Sequence, residues 1–248
     1  MLLRPADGWA VRVSAGRGYF APTPLTEETE AVGLTRLRAF SANDVEHAQG
    51  YSADLSRSMG RADLNLTLFG SRVNGALVMR QAGLAQYELV PLTGPTNTVG
   101  AESLLRVHFG GVTVVASYTF VRSTEPSVST SVRDDVPMTP RHSTGLTAMW
   151  EREGAGRVGV EFYFTGPQRL EDNPFRVKRP AYPYFGALAE RKLGRLRLFV
   201  NSENLSNRRQ TKYGSLVRPV RRFDGRWTVD AWAPLDGFVV NAGFRIGF

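Results

Sequence analysis

The final stretch of the chain, residues 238–248, alternates between apolar positions and small or polar ones. The apolar set is Phe238, Val240, Ala242, Phe244, Ile246 and Phe248. A period of two is the spacing of a β-strand, whose successive side chains point to opposite faces. The pattern therefore predicts a strand with one face toward an apolar medium and the other toward a polar one.

Segments of this kind recur along the whole chain, separated by Gly, Pro, Asn and Asp. Tight turns such as Gly110-Gly111 are typical of β-hairpins, and no stretch of useful length has the period of a helix. We therefore expect one continuous antiparallel meander. The predicted strands are 9–19, 46–58, 61–79, 85–92, 98–109, 112–122, 142–152, 156–166, 182–192, 195–204, 208–217 and 238–248.

The second faces of these strands carry charged and polar residues in mid-strand. Examples are Arg12, Asp54, Asn65, Arg106, Glu161, Arg197 and Arg245. A small closed barrel would need apolar residues there, whereas a wide barrel with a wet or plugged lumen accepts polar ones. The pattern predicts an all-β fold, an antiparallel up-and-down transmembrane β-barrel of about twelve strands. The alternative is a soluble all-β module that binds nucleic acid or glycan, in which the apolar faces pack on each other.

The direction of each predicted strand assigns its connections to a side of the membrane. With a periplasmic C-terminus, 20–45, 80–84, 110–111, 153–155, 193–194 and 218–237 face outward. The periplasmic set is then 59–60, 93–97, 123–141, 167–181 and 205–207. Two long periplasmic connections are unusual, because periplasmic turns of such barrels are mostly short.

Composition narrows the alternatives further. The 248 residues are 42% hydrophobic and 22% charged, which excludes both a disordered chain and a helical membrane protein. The longest stretch nearly free of charge, 109–121, is shorter than the roughly 20 residues of a spanning helix. There is no cysteine, which excludes disulfides and thiolate metal sites. The net charge of +8 leaves anionic partners open.

Several local sequences carry a resemblance to one family. They are Gly18-Tyr19-Phe20-Ala21-Pro22, Gly100-Ala101-Glu102, Val136-Pro137 through Pro140-Arg141-His142, Val200-Asn201 through Asn204-Leu205-Ser206-Asn207, and the terminal alternation that ends at Phe248. In this order and spacing they resemble the C-terminal half of TonB-dependent outer-membrane receptors. In the family's terms they match a mid-barrel strand end, a Gly-x-Glu element, the entry to a late strand and an Asn-Leu turn.

The resemblance implies a transport protein of the outer membrane of Gram-negative bacteria, one that imports a scarce nutrient such as siderophore-bound iron or cobalamin. Family barrels have 22 strands around a plug, so residues 1–248 are expected to be a partial barrel domain without plug or signal peptide. Implied partners are outer-membrane lipid, a small-molecule ligand such as a metal chelate, and TonB only through the missing plug. Phe244, Ile246 and Phe248 match the signal that the barrel-assembly machinery reads. Alone, the chain needs its missing half or closes as a smaller twelve-stranded barrel.

Enzyme and metal chemistry find little support in the sequence. His47, His108 and His142 are far apart without metal-ligand spacing, and there is no nucleophile, phosphate-loop or dinucleotide motif. We expect no enzymatic activity and no cofactor. The basic run from Arg208 to Lys212 favours a membrane-surface position over nucleic-acid binding, because the aromatic residues lie on the apolar faces.

Two connections contain candidate ligand-binding residues. The segment 218–237 interleaves cations with aromatic rings, and 20–45 begins with Phe20. Such a combination binds anionic or aromatic solutes through charge-assisted hydrogen bonds and stacking. The alternative is loop solubility together with an interfacial aromatic belt. The candidates are Arg221, Arg222, Phe223, Trp227, Trp232 and Phe20.

Overall fold

The computed structural model describes all residues except 22, 24–28, 30–32, 40–44, 85, 128–131, 172, 223–224 and 248. Within these residues, sixteen β-strands and two short 3-10 turns (Leu34–Arg36 and Gln210–Lys212) are formed. The strands are β1 (Leu2–Leu3), β2 (Trp9–Phe20), β3 (Glu46–Ser58), β4 (Ala62–Asn74), β5 (Leu77–Gly83), β6 (Gln86–Pro91), β7 (Thr96–Phe109), β8 (Val112–Pro126), β9 (Arg133–Asp135), β10 (His142–Arg152), β11 (Gly156–Thr165), β12 (Gln168–Arg169), β13 (Lys178–Arg179), β14 (Tyr182–Leu193), β15 (Leu196–Glu203) and β16 (Val239–Ile246).

Twelve of the strands form one antiparallel sheet in the order β1-β2-β3-β4-β7-β8-β10-β11-β14-β15-β16, with β9 added to β8. Each long strand thus lies beside its neighbour in the chain, as predicted for an up-and-down meander. The predicted all-β class and antiparallel arrangement are confirmed. Ten of the predicted strands lie in this sheet, and its count of twelve is completed by the short strands β1 and β9, which the pattern did not predict. Among the described residues β1 and β16 end the strand order without pairing to each other, so the sheet is open rather than a closed twelve-stranded barrel.

Strand register sorts the side chains into an apolar face and a polar face. In one row Ala148, Val160 and Ala187 are cross-strand neighbours on the apolar face. Large apolar side chains on this face remain exposed, Val160 by 54% and Phe244 by 66%. Among the described residues no second sheet covers it. Within the part of the chain that the structure describes, the two sheets packed face to face that a soluble β-sandwich needs are therefore not formed.

The polar face is held together by cross-strand hydrogen bonds and ion pairs. Thr67 donates to the Asp54 carboxylate over 2.9 Å, and Asn65 donates to the Ser56 hydroxyl over 2.8 Å. The largest cluster of ion pairs on this face is centred on Glu190 of β14, whose side chain is only 6% exposed. Its carboxylate lies 3.4 Å from Arg157 on β11 and 3.0 Å from Arg197 on β15. These contacts join three neighbouring strands through one carboxylate.

Replacing Glu190 by Gln is expected to lower the free energy of unfolding by about 1–2 kcal/mol, because two arginines lose a shared, nearly buried anion. Heat-modifiability on gels, measured against temperature, reports the change. The matched control is Glu102→Gln, since Glu102 is an exposed carboxylate on the same face, on β7, without an ion pair to any described residue. Equal losses in both variants would contradict the role given to Glu190.

Two predicted strands are wrong as strands of the main sheet. Residues 86–91 form β6, which pairs only with β5 in a separate hairpin. Residues 208–217 contain the 3-10 turn Gln210–Lys212 and loop instead of a ladder. A period of two describes a loop hairpin as well as a barrel wall, which explains the first error. In the second segment the Gln210 side chain bonds the backbone of residues 230–233, so local hydrogen bonds replace strand pairing.

These two errors also explain the unusual side assignment of the connections. Each extra predicted strand reverses the predicted direction of all later strands, and the second extra strand restores the direction that the first one reversed. The predicted sides of the connections between residues 93 and 207 are therefore the opposite of those in the structure. In the structure, the connections 59–61, 110–111, 153–155 and 194–195 lie together at one end of the strands, the short-turn edge. The connections 21–45, 75–95, 127–141, 166–181 and 204–238 join the strands at the other end, the long-loop edge.

No helix in the described part of the chain has the length and apolar character that a membrane crossing requires.

Candidate functional site: the loops at one edge of the sheet

The tightest packing lies in the long connections rather than on the sheet. Of the nine buried non-glycine residues described, seven belong to the connections 166–181 and 204–238, and we call these seven the loop core. They are Gln168, Leu170, Arg179, Asn204, Gln210, Val229 and Trp232. The loop core fixes the shape of the long-loop edge beside β14, β15 and β16.

Asn204, directly after β15, ties the two ends of the 204–238 connection together. Its side-chain amide donates to the Arg208 carbonyl over 2.7 Å and to the Asp236 carbonyl over 2.9 Å. Its side-chain oxygen accepts from the Arg208 amide over 2.8 Å. The residue has φ 50°, a left-handed conformation that asparagine tolerates better than most residues. Asn204 is the asparagine of the Asn-Leu element, so this element closes the neck of a long loop.

Gln210 holds the far side of the same loop. Its side-chain oxygen accepts from the Trp232 amide over 2.7 Å, and its amide group donates to the Asp230 carbonyl over 3.0 Å. Its own backbone amide donates to the Pro234 carbonyl over 2.9 Å. Gln210 is 1% exposed, and its buried side chain holds the backbone of Trp232 so that the indole packs in the loop core.

Arg179 is a buried cation without a hydrogen-bond partner among the described residues. It is 1% exposed, and Nε, Nη1 and Nη2 all lack an acceptor. Its guanidinium lies 5.0 Å from the Tyr182 ring and 5.9 Å from the Trp232 ring. Burial lowers the pKa of Arg179 from its ordinary value to about 10, while Tyr182 acts in the opposite direction. In the described part of the chain, the charge of Arg179 is therefore stabilised only by cation–π contacts with two aromatic rings.

Replacing Arg179 by Met is expected to raise the free energy of unfolding by about 1–3 kcal/mol, because an apolar chain of similar length removes an unpaired buried charge. The pKa is lowered in the folded state, so the destabilisation is complete below about pH 10 and falls only as the pH rises from there toward the ordinary pKa of arginine. Thermal unfolding at pH 7 measures it. The control is Arg176→Met. Arg176 donates a hydrogen bond to the Tyr213 carbonyl, so this variant is expected to lower the free energy of unfolding. Destabilisation by both variants would contradict this account of Arg179.

The structure divides the predicted ligand-binding residues into separate groups. Arg221 lies 5.6 Å from the ring of Trp227, which is 52% exposed, and donates to the Gly225 carbonyl. Arg222, next in the chain, bonds Arg226 through its backbone amide. Trp232 is instead only 5% exposed, inside the loop core. Phe223 lies outside the described residues.

Phe20 is 56% exposed at the end of β2. It thus shares the long-loop edge with the 218–237 residues, but β2 and β16 are nine positions apart in the strand order. Phe244 and Ile246, two of the predicted assembly-signal residues, project from the apolar face of β16 with 66% and 54% exposure. The third, Phe248, lies outside the described residues, and the assembly role of all three stays a prediction.

Sequence reasoning missed Arg179, Gln210 and the closing role of Asn204. Only Asn204 had a signal, because it belongs to the Asn-Leu element. Arg179 belongs to a connection that showed no alternating pattern, and its burial depends on Trp232, more than fifty residues away. For metals, the described residues contain no cluster of three or more His, Asp or Glu side chains close enough to share an ion.

A wide antiparallel sheet with one apolar and one polar face, short turns at one edge and long connections at the other defines a class, the walls of outer-membrane β-barrels. A family model described as TonB dependent receptor-like, beta-barrel, matches residues 2–205. The chain belongs to this family, whose members are outer-membrane β-barrels. Family and similar structures are transport receptors rather than enzymes, which supports a non-enzymatic role.

Solved structures show the same fold. The FrpB iron transporter from Neisseria meningitidis has a TM-score of 0.71 and 15% identity, over 98% of this chain and 37% of its own. The ferric enterobactin receptor PfeA from Pseudomonas aeruginosa, solved with enterobactin, has a TM-score of 0.70 and 12% identity, over 98% of this chain and 39% of its own. The copper transporter OprC has a TM-score of 0.68 and 12% identity, over 100% of this chain and 38% of its own. The chain thus spans less than two fifths of these proteins. No curated protein sequence matches it significantly.

Proposed function

We propose that this chain forms part of the barrel wall and the ligand-capturing loops of an outer-membrane receptor for TonB-dependent uptake of a scarce nutrient. The observation that carries the proposal is the segregation of all long connections at one edge of a two-faced sheet. In outer-membrane barrels the long loops are extracellular and the short turns periplasmic. The long-loop edge is therefore the outer side, and the apolar face contacts outer-membrane lipid.

The nutrient is a small anionic or aromatic chelate, of the siderophore-iron or cobalamin type. Arg221, Arg222 and Trp227 offer cations and a ring at the outer side, and Phe20 adds a ring on the opposite part of the same edge. Phe223 stays a candidate from the sequence of the same segment. Trp232, packed in the loop core, supports this surface from beneath. Proteins of the same fold are named as transporters of iron and copper and as a receptor bound to enterobactin, which supports this substrate class.

The energy for uptake enters elsewhere. The polar face lines the lumen, where a plug carries the contact with TonB, and the residues described in this chain serve as wall and loops. Assembly into the membrane uses the C-terminal alternation that includes Phe244, Ile246 and Phe248. Neither nucleic acid nor a bound cofactor has a role in this proposal.

The proposal is tested in the bacterium that carries the gene, by deleting the gene and measuring uptake of ferric enterobactin, copper and cobalamin. The deletion is expected to abolish high-affinity uptake of ferric enterobactin or of cobalamin and to leave copper uptake unchanged. Loss of copper uptake alone, or unchanged uptake of all three, would contradict the proposed nutrient class.

The loop assignment has its own variant and control. The double variant R221A/W227A is expected to weaken uptake of the affected solute about tenfold, because it removes a cation and an exposed ring that each contact the ligand in this proposal, and a cation–π contact is worth roughly 0.5–2 kcal/mol. The matched control is R57A/W9A, because Arg57 lies 4.5 Å over the Trp9 ring at the short-turn edge. Equal losses in both double variants would show that the 218–237 segment does not select the ligand.

A further inference from the structure

A groove of about 370 Å³ opens on the apolar face beside the short-turn edge. Its lining includes Trp150, Val158, Ala189, Leu198, Val200 and Arg191. Glu190 also lines it, but the carboxylate of Glu190 pairs with Arg157 and Arg197 on the polar face. In the row of cross-strand neighbours Trp150, Val158, Ala189 and Val200, the small side chain of Ala189 leaves a depression between larger ones. The groove is thus a shaped, apolar channel on the surface that faces lipid in the proposed function.

Two arginines stand at the end of this groove. The next row toward the short-turn edge consists of Arg152 on β10, Gly156 on β11 and Arg191 on β14. Both arginines project from the apolar face and are exposed. In the described part of the chain neither guanidinium has a hydrogen-bond acceptor or an ion-pair partner. Two cations of one face therefore flank a central residue without a protein anion between them.

Gly156 keeps the space between the two arginines open. It has φ 145°, and a Cβ there would approach the Arg191 Cα at 3.0 Å and collide with the Glu190 carbonyl. A side chain is therefore excluded for steric reasons at the position between the cations. The groove reaches this row at Gly156 and Arg191, which both line it, and Arg152 is the cross-strand neighbour of Gly156 on the other side.

We propose that this site, Arg152 and Arg191 with the adjoining groove, binds a glycerophospholipid of the membrane leaflet on the short-turn side. Guanidinium groups form strong, often bidentate hydrogen bonds to phosphate oxygens. A phospholipid phosphate lies at the membrane interface, the depth at which β10 and β14 end, and its acyl chain continues into the hydrocarbon along the groove. The charge of the headgroup and the apolar tail match the two parts of the site.

The inference rests on the membrane placement proposed above and is tested in protein purified in detergent from outer membranes. Dioleoylphosphatidylglycerol is titrated, and native mass spectrometry counts bound lipid. The double variant R152Q/R191Q is expected to weaken lipid binding at least tenfold, and A189L, which fills the groove, to weaken it severalfold. Dioleoylglycerol, which lacks the phosphate, is expected to bind equally weakly to wild type and to R152Q/R191Q.

The matched control is R17Q/R57Q, which removes two arginines from the apolar face outside the groove and is expected to change binding less than twofold. Equal loss in both double variants, or equal binding of the two lipids to wild type, would overturn the inference. Failure of the proposed function is distinguishable, because a wild-type protein absent from the outer-membrane fraction overturns the membrane placement itself. A protein that inserts but binds lipid independently of Arg152 and Arg191 overturns the phospholipid site alone.

Discussion

Replacing Val160 by Arg is expected to prevent stable insertion of the barrel into lipid vesicles. Val160 is in the middle of β11, a ten-residue strand, and spanning strands have about 9–11 residues. In the proposed membrane placement, the side chain therefore lies near the bilayer midplane on the apolar face. An arginine on the lipid face at that depth costs about 2–4 kcal/mol, which lowers the equilibrium constant for folding roughly 30- to 1000-fold. Folding into vesicles, followed by heat-modifiability and protease protection, measures this loss.

The same charge on the other face serves as the control. Thr147 is in the middle of β10 on the polar face, beside Glu161 in the next strand. Thr147→Arg is expected to change the folding equilibrium by less than about 1 kcal/mol, because the guanidinium enters a polar lumen with a carboxylate neighbour. Efficient insertion of V160R together with failure of T147R would mean that the assignment of the two faces is reversed.

The alternation of single residues was sufficient to predict the sheet because a barrel wall meets two different media. Val158 and Val160 on one side and Glu161 on the other report those media directly, whatever lies elsewhere in the chain. The same local signal could not separate wall strands from the hairpin of β5 and β6. That distinction depends on which strand lies beside β4, and β7 occupies that place.

The loops were less predictable for a related reason. Arg179 is buried because Tyr182 and Trp232 meet over it, and Gln210 is buried because residues 230–234 fold back on it. The contacts of Arg179 with Trp232 and of Gln210 with residues 230–234 join parts of the chain at least twenty residues apart, and they leave no periodic trace in the sequence. The same limit applied to Trp232, whose position among cations suggested a ligand contact, although its ring packs inside the loop core.

Replacing Asn204 by Ala is expected to release the 204–238 loop from its neck. The side chain makes three hydrogen bonds to Arg208 and Asp236, and it is only 2% exposed, so its removal leaves buried backbone groups without partners. Alanine is also less tolerant of the left-handed conformation at φ 50°. Together these changes should lower the free energy of local opening by about 3 kcal/mol. Hydrogen exchange of peptides within 204–238 should accelerate roughly 100-fold.

Asn207 separates the contribution of the side-chain hydrogen bonds from that of the left-handed backbone. It has the same φ of 50° but makes no side-chain hydrogen bond to a described residue. Asn207→Ala is therefore expected to accelerate exchange of the same peptides about tenfold or less, the part due to backbone conformation alone. Asn204→Asp keeps the acceptor for the Arg208 amide but places a carboxylate against two carbonyls, so it should resemble the alanine variant. If N204A and N207A open the loop equally, the neck is held by backbone conformation and the hydrogen bonds of Asn204 contribute nothing measurable. If N204A alone opens it, the asparagine of the Asn-Leu element keeps a thirty-five-residue loop folded at the outer edge of the sheet.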